Sequence, residues 1–340
     1  MQNRKIQSIE LGRVVAILAI AAMHCQLFLS YWHVGDTPWV AYIFNQATRF
    51  ALPLFFLISG YLIEPKLSQQ PLQTLKRYSS PLLRVFVVWS VISLAMPFNL
   101  ETVAQHGYLA ERQGYWGFLA QAPLNSLLEG GLVHLWFLPA LIIASAISAL
   151  LSHYRQLSLF IPLGIALYVY GVLAGSYQEL TGFVAPFFTR NGPFFSTLLF
   201  AIGFTIRQKS IQATARQAGI MALVGMTLHF AEAWVLTGHN QAFNANDFVF
   251  GTVLWGTGCF LWLLAKPNLG SNQWLTAQSR YVLPLYVAHL PMIIIMMNVA
   301  GVASLSGLSK DLLLLFGATV ITFGLIKALE KTPLYRFLFR

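Results

Sequence analysis

Three residues that lipid ordinarily excludes lie in one apolar run, IELGRVVAILAIAAMHCQLFLSY, from Ile9 to Tyr31: Glu10, Arg13 and His24. A charge inside a membrane span is costly, so it normally faces protein or water and marks a working site. Glu10 and Arg13 are three apart and can pair on one helical face. Arg13 and His24 are eleven apart. At about 100° and about 1.5 Å per residue they fall within roughly 20° of each other and roughly 16 Å apart in depth. One face of one helix therefore presents a cation near one membrane surface and an imidazole deeper in. An imidazole titrates near operating pH and suits general acid–base work.

Other polar residues recur at depth. Arg49, after Asn45 and Gln46, sits near the middle of the second apolar run and needs an anionic or carbonyl partner. Lys76, Arg77 and Arg84 cluster where the third run begins. Such a group suits a phosphate-rich ligand, because guanidinium holds phosphate oxygens bidentately. Positive-inside anchoring is the plainer reading of Lys76 and Arg77. His134 and Trp136 open the fourth run in HLWFLPAL. His229 and Glu232, in HFAE, are placed either to pair or to act as interfacial polar groups. His289 lies inside the ninth run in YVAHLP.

The elements that position these residues follow from composition. The chain has 340 residues, 57% hydrophobic and 9% charged, against about 25% charged in a soluble domain. The fold class is an all-α polytopic membrane protein, a single domain over residues 1–340. Ten spans are expected, at 9–31, 39–63, 80–100, 132–152, 158–175, 192–207, 217–236, 247–265, 281–302 and 310–330. A loop over about 101–131 should face outward, and Ser59 and Gly60 read as small residues for close helix packing. Arg4, Lys5 and the run Val14 to Met23 imitate a secretory signal. Glu10 and Arg13 at its entry argue instead for a retained helix.

The net charge of +10 is mostly topological and does not point to nucleic acid. Fifteen basic residues fall on one side: Arg4, Lys5, Lys66, Lys76, Arg77, Arg155, Arg207, Lys209, Arg216, Lys266, Arg280, Lys327, Lys331, Arg336 and Arg340. Only Arg112, Arg190 and Lys310 fall on the other. Both termini are therefore expected in the cytoplasm. Cys25 and Cys259 fall inside spans as ordinary buried thiols, with no disulfide framework or metal cluster implied.

In this order, the runs resemble the integral-membrane acyltransferase 3 family of bacteria. Glu10-x-x-Arg13-x10-His24 is similar to that family's acidic–Arg–x10–His first-helix pattern, with Glu for the usual Asp. PLFFLISGYLI (Pro53 to Ile63) resembles its most recognisable string. His134-Leu-Trp136-Phe137-Leu and Tyr286-Val-Ala-His289 resemble later landmarks. The usual Arg-x-x-Arg entering the third helix is here Pro81-Leu-Leu-Arg84. Arg84 matches, while Arg77 lies four residues too early. The stand-alone form is similar to the branch that O-acetylates enterobacterial common antigen and related surface glycans.

The resemblance implies acetyl transfer from cytoplasmic acetyl-CoA to a hydroxyl of a surface glycan or its lipid-linked precursor, in the bacterial inner membrane, without a metal. It implies donor binding by Arg13 and Arg84, assisted by Lys76 or Arg77. His24 would be the base, with Glu10 beside Arg13, and Arg49 or a protonated His289 would stabilise the oxyanion. His134, Trp136, His229 and Glu232 are the acceptor-side candidates. Partners would be the bilayer, the donor, the glycan and possible further copies of the chain. Buried Arg, His and Glu with broken helices also describe a proton-coupled transporter, the competing class.

The charge asymmetry is testable. Reporter fusions after Arg216 and after Arg340 should both read out as cytoplasmic, and a clear periplasmic signal from either would overturn the topology.

Overall fold

A computed structural model describes residues 6–340, so Arg4 and Lys5 lie outside the described residues. Every named element within it is helical, and the β pairing is one isolated bridge between Val34 and Thr37. Seven helical segments are long and apolar enough to cross a membrane: Gln7–His24, Trp39–Leu67, Pro71–Ala95, Val133–His153, Ala215–Thr237, Gln273–Val302 and Gly307–Leu329. Leu157–Leu173 and Phe250–Ala265 are shorter apolar helices. The helix Pro193–Gln208 coincides with the remaining expected span.

Several boundaries depart from expectation. The first helix ends at His24, not Tyr31. Gln26, Phe28 and Trp32 all take positive φ (51°, 69° and 60°), which L-residues adopt only in turns. The turn is held from afar: the buried Asp311 carboxylate accepts from the Phe28 N–H at 2.7 Å and the Tyr31 hydroxyl at 2.8 Å. The second segment breaks between Trp39–Ala47 and Ala51–Leu67. The third begins at Pro71, where a fixed φ and a missing N–H suit a helix start, so Lys76 and Arg77 lie within it. The expected loop over 101–131 is mostly helical, as Leu100–His106, Tyr108–Ala120 and Pro123–Glu129.

The chain forms two compact units. The first comprises residues up to Ile20, Gln46–Ser79 and Ala140–Val282. The second comprises Ala21–Asn45, Ser80–Pro139 and Leu283–Arg340. The boundary crosses the chain five times.

In the first unit, backbones approach closely where side chains vanish. A Cβ on Gly60 would stand 2.1 Å from the Phe200 carbonyl oxygen, and one on Gly203 would stand 2.0 Å from that of Leu57. The helices Ala51–Leu67 and Pro193–Gln208 thus meet through reciprocal glycines, as small residues allow in membranes.

In the second unit, Cys25, Leu27, Leu132, Leu290, Ile293, Met296 and Leu314 form an apolar cluster next to the end of the first helix. A buried clasp orders the short helices. Arg112 is 0% exposed. Its Nη2 donates to Glu111 at 2.6 Å, its Nη1 to the Ser93 carbonyl at 3.3 Å, and its guanidinium lies 4.4 Å from the Phe98 ring centroid. Glu111 also accepts from the Phe98 and Asn99 N–H groups. The hydrogen bond from Arg112, with those backbone donors and against burial, holds the Glu111 carboxyl below the usual carboxylate range.

Removing one partner of such a pair strands the other. Glu111→Gln should destabilise the protein by about 3–5 kcal/mol at neutral pH. A carboxyl with a lowered folded pKa stabilises above its unfolded pKa and ceases to do so as pH falls through the folded one. The gap in Tm between wild type and Glu111→Gln should therefore be full at pH 7 and narrow below about pH 4.3, the ordinary Glu value. A gap that is absent at pH 7, or that widens in acid, would contradict the clasp.

Candidate active site

The second unit brings three of the expected histidines together. His24 ends its helix, His134 lies in the 3-10 turn Val133–Trp136, and His289 lies in Val282–Val302. The ring centroids of His24 and His289 are 5.2 Å apart, as are those of His134 and His289. His134 and His289 are 2% and 4% exposed. Trp136 is buried too, so it packs inside the protein.

Hydrogen bonding decides the tautomers. His134 Nε2 lies 3.1 Å from the Val287 carbonyl oxygen, and His289 Nδ1 lies 2.7 Å from that of Tyr286. A carbonyl only accepts, so each of these nitrogens carries the proton. The opposite nitrogens, His134 Nδ1 and His289 Nε2, are buried and make no hydrogen bond. A neutral ring leaves each of them a bare lone pair. The expected oxyanion-donor role of His289 would need a second proton, on Nε2. Tyr286 fixes the arrangement by donating its hydroxyl to the His134 carbonyl oxygen.

The residues expected to bind the donor belong to two helices, Gln7–His24 and Pro71–Ala95. Arg13 Nη1 pairs with Glu10 at 3.2 Å, on the first helix. The Tyr78 hydroxyl hydrogen-bonds Ser59 and lies within electrostatic reach of Arg13, so Ser59 does more than permit close packing. Lys76 and Arg77 are exposed on Pro71–Ala95. Arg84, also exposed, donates to the main-chain oxygen of Arg340. The neighbouring Trp89 donates to the Leu338 carbonyl at 2.8 Å, docking the short helix Pro333–Phe339.

Arg49 finds both kinds of partner that its depth demands. Its Nη1 donates to Asp247 at 2.8 Å and its Nη2 to the Asn244 carbonyl at 3.2 Å. Arg190 donates to the other Asp247 oxygen at 2.7 Å. Sequence reasoning missed Asp247 and Arg190 because they lie about 200 and 140 positions from Arg49; an acid and a base flanking apolar runs were the available signals. Asp311 was missed for the same reason.

His229 and Glu232 do not pair with each other; each is hydrogen-bonded within the first unit. His229 is 0% exposed with both nitrogens occupied. Its Nε2 meets Gln46 Oε1 at 2.7 Å and its Nδ1 meets the Thr252 hydroxyl at 2.8 Å. Thr252 in turn accepts from the Val249 N–H at 2.8 Å. Glu232 accepts from the Tyr177 hydroxyl and from the Phe250 and Gly251 N–H groups. It therefore neutralises the orphan donors at the start of helix Phe250–Ala265.

No group of three His, Cys, Asp or Glu among the described residues is arranged to hold a metal ion. The scaffold assignment predicts that His229→Ala lowers Tm, since each buried polar group left unsatisfied costs about 1–3 kcal/mol. His229→Gln should recover part of the loss. A His229→Ala protein as stable as wild type would remove His229 from the scaffold.

Comparison with known proteins identifies the family. Residues 6–329 match the family described as an acyltransferase domain, acyltransferase 3. The chain is 27% identical to the serine/alanine racemase of Enterococcus gallinarum over 72% of its own length and 35% of that protein's. It is 26% identical to an amino-acid racemase of Enterococcus faecalis over 59% of its own length and 28% of that protein's. It thus spans about a third of the curated relatives it matches. No solved structure matches. With seven long apolar helices among the described residues and a family match along nearly its whole length, the chain belongs to the acyltransferase 3 family of membrane acyltransferases.

Proposed function

We propose that the protein moves an acetyl group from cytoplasmic acetyl-CoA to a hydroxyl of a surface glycan or its lipid-linked precursor, at the bacterial inner membrane. The observation that carries this reading is the histidine cluster. Buried imidazoles with bare ring nitrogens are bases held out of water beside His24. Racemisation is not proposed, because the match covers only about a third of the racemases.

In the proposed reaction His24 removes the proton from the acceptor hydroxyl. The alkoxide oxygen attacks the thioester carbonyl carbon, and a new C–O bond forms. The C–S bond then breaks, and His24 returns the proton to the departing CoA thiolate. His289 would act beside His24 as a second proton acceptor, and His134 would seat His289. A covalent variant places the acetyl group on His24 first. Arg13 and Arg84 would bind the donor's phosphates, with Lys76 or Arg77 assisting. Exposed guanidinium groups suit phosphate oxygens. Arg84 would have to exchange its contact with the Arg340 main chain for the donor.

Incubating purified protein with labelled acetyl-CoA and candidate glycans tests the reading directly. His24→Gln should remain folded and bind acetyl-CoA calorimetrically, yet lose roughly 10²–10⁴-fold in acetyl transfer, the usual scale for general acid–base catalysis. Near-normal turnover in a stable His24→Gln protein would move the base to His289. Absence of transfer to any glycan by the wild-type protein would favour the transporter class.

A further inference from the structure

Where the helix Pro193–Gln208 gives way to Ala215–Thr237, the first unit holds a cavity of about 480 Å³. Its polar lining comes from Tyr61, Arg207, Ser210, Gln212 and Thr214, and no Asp or Glu among the described residues lines it. The chain has no acid at all between Glu179 and Glu232, a stretch that carries Arg190, Arg207, Lys209 and Arg216. The acids of the neighbouring helices Gln7–His24 and Ala51–Leu67 are engaged elsewhere. Glu10 pairs with Arg13, and Glu64 accepts from the Ser68 hydroxyl at 3.0 Å.

Arg207 supplies the charge in this cavity. It lies in the last turn of its helix, partly buried. Its Nη1 donates to the Tyr61 hydroxyl at 3.1 Å, and its guanidinium carbon lies 5.2 Å from the Tyr61 ring centroid. It pairs with no carboxylate among the described residues. The Tyr61 ring is braced edge-on by Phe260, with centroids 5.4 Å apart. An arginine that only anchors a helix end reaches for water or headgroups. This one is laid against a ring, with further N–H donors unspent. Nor does the helix end need it: the N–H groups of Lys209, Ser210 and Ile211 already donate to the carbonyls of Thr205, Arg207 and Ile206.

The start of the next helix adds donors. Thr214 accepts from the Gln217 N–H at 3.2 Å, so the capping box satisfies the third helical position. The N–H groups of Ala215 and Arg216 belong to the first turn, where no intrahelical acceptor exists and the helix dipole is positive. The Tyr61 hydroxyl accepts from Arg207 and keeps its own proton for another partner. A guanidinium fork, a hydroxyl and a helix start suit an anion with several oxygens, as phosphate has.

We propose that this cavity binds a phosphate group, carried either by an anionic lipid headgroup or by a soluble phosphate compound. Arg207 neutralises the charge, the Tyr61 hydroxyl donates a further hydrogen bond, and the start of Ala215–Thr237 completes the set of donors. The assignment is independent of the acyl-transfer reading.

The test uses the full chain purified in a neutral detergent and needs no turnover. Thermal shift and calorimetry are run with inorganic pyrophosphate, with short-chain phosphatidylglycerol, and with short-chain diacylglycerol as a control that lacks the phosphate. Wild type should show saturable stabilisation by pyrophosphate or by phosphatidylglycerol, and none by diacylglycerol; the stronger of the two names the source of the phosphate. Arg207→Gln should lower that affinity about tenfold or more, the usual worth of a charge-assisted hydrogen bond. Tyr61→Phe keeps the ring and removes only the hydroxyl, so affinity should fall several-fold, and this variant decides the matter should Arg207→Gln fail to fold. Arg155→Gln, on an exposed residue outside the cavity, should bind as wild type does. The proposal is overturned if neither phosphate compound gives a saturable shift in wild type, or if Arg207→Gln or Tyr61→Phe binds as tightly as wild type. An equal loss in Arg155→Gln would mark the binding as general surface charge and overturn it as well. Intact phosphate binding with no acetyl transfer would reject the transferase reading and leave this site standing.

Discussion

The absence of water around apolar helices is the constraint from which the rest of this structure follows. A polar group there must find its partner within the chain, and most do. Arg112 is enclosed by Glu111, a carbonyl and an aromatic ring. His229 spends both nitrogens on neighbours, and Glu232 satisfies backbone donors at a helix start. Against that background, a buried ring nitrogen with no hydrogen bond is conspicuous. His134 Nδ1 and His289 Nε2 forgo a contact that folding alone would favour.

The constraint also sorts the histidines from one another. By sequence, His134, His229 and His289 are alike: each is a lone imidazole in an apolar run. In the structure, the partner atoms separate them. His229 faces an amide and a hydroxyl, which fill both of its nitrogens. His134 and His289 each face a carbonyl, which can take only one proton and leaves the other nitrogen bare. A carbonyl partner therefore gives a buried neutral histidine a defined tautomer, with its opposite nitrogen bare.

Much of the architecture was legible because hydrophobic runs and charge placement are local signals. The expected apolar segments reappear as helices, the Glu10–Arg13 pair forms at its three-residue spacing, and Gly60 lies at a close backbone approach. Long-range partners were not legible. Asp247, Arg190 and Asp311 act on residues far away in the chain, and no spacing rule announces such a meeting. The end of the first helix at His24 was hidden for the same reason. The run Cys25 to Tyr31 is apolar enough to continue a helix, and a carboxylate from the other end of the chain bends it into turns. The segment 101–131 reads as a loop because its polar residues lack a clean period, yet Glu111 and Arg112 bury themselves and order it into helices.

The interleaving of the two units has a consequence for how the molecule is made. Ribosomal synthesis runs from the amino end, and domains tend to fold as they emerge. The segments of the first unit are all present once Val282 has been made, whereas the second still awaits Leu283–Arg340. His24 is among the earliest residues to enter the membrane, His134 follows, and His289 comes near the end. The first helix must therefore wait in the bilayer through most of translation, with its imidazole lacking its later neighbours. Biogenesis thus delays the assembly of the histidine cluster until the segments of the first unit have been delivered, and a chain interrupted before its last helices would carry Arg13 and Arg84 without the completed cluster.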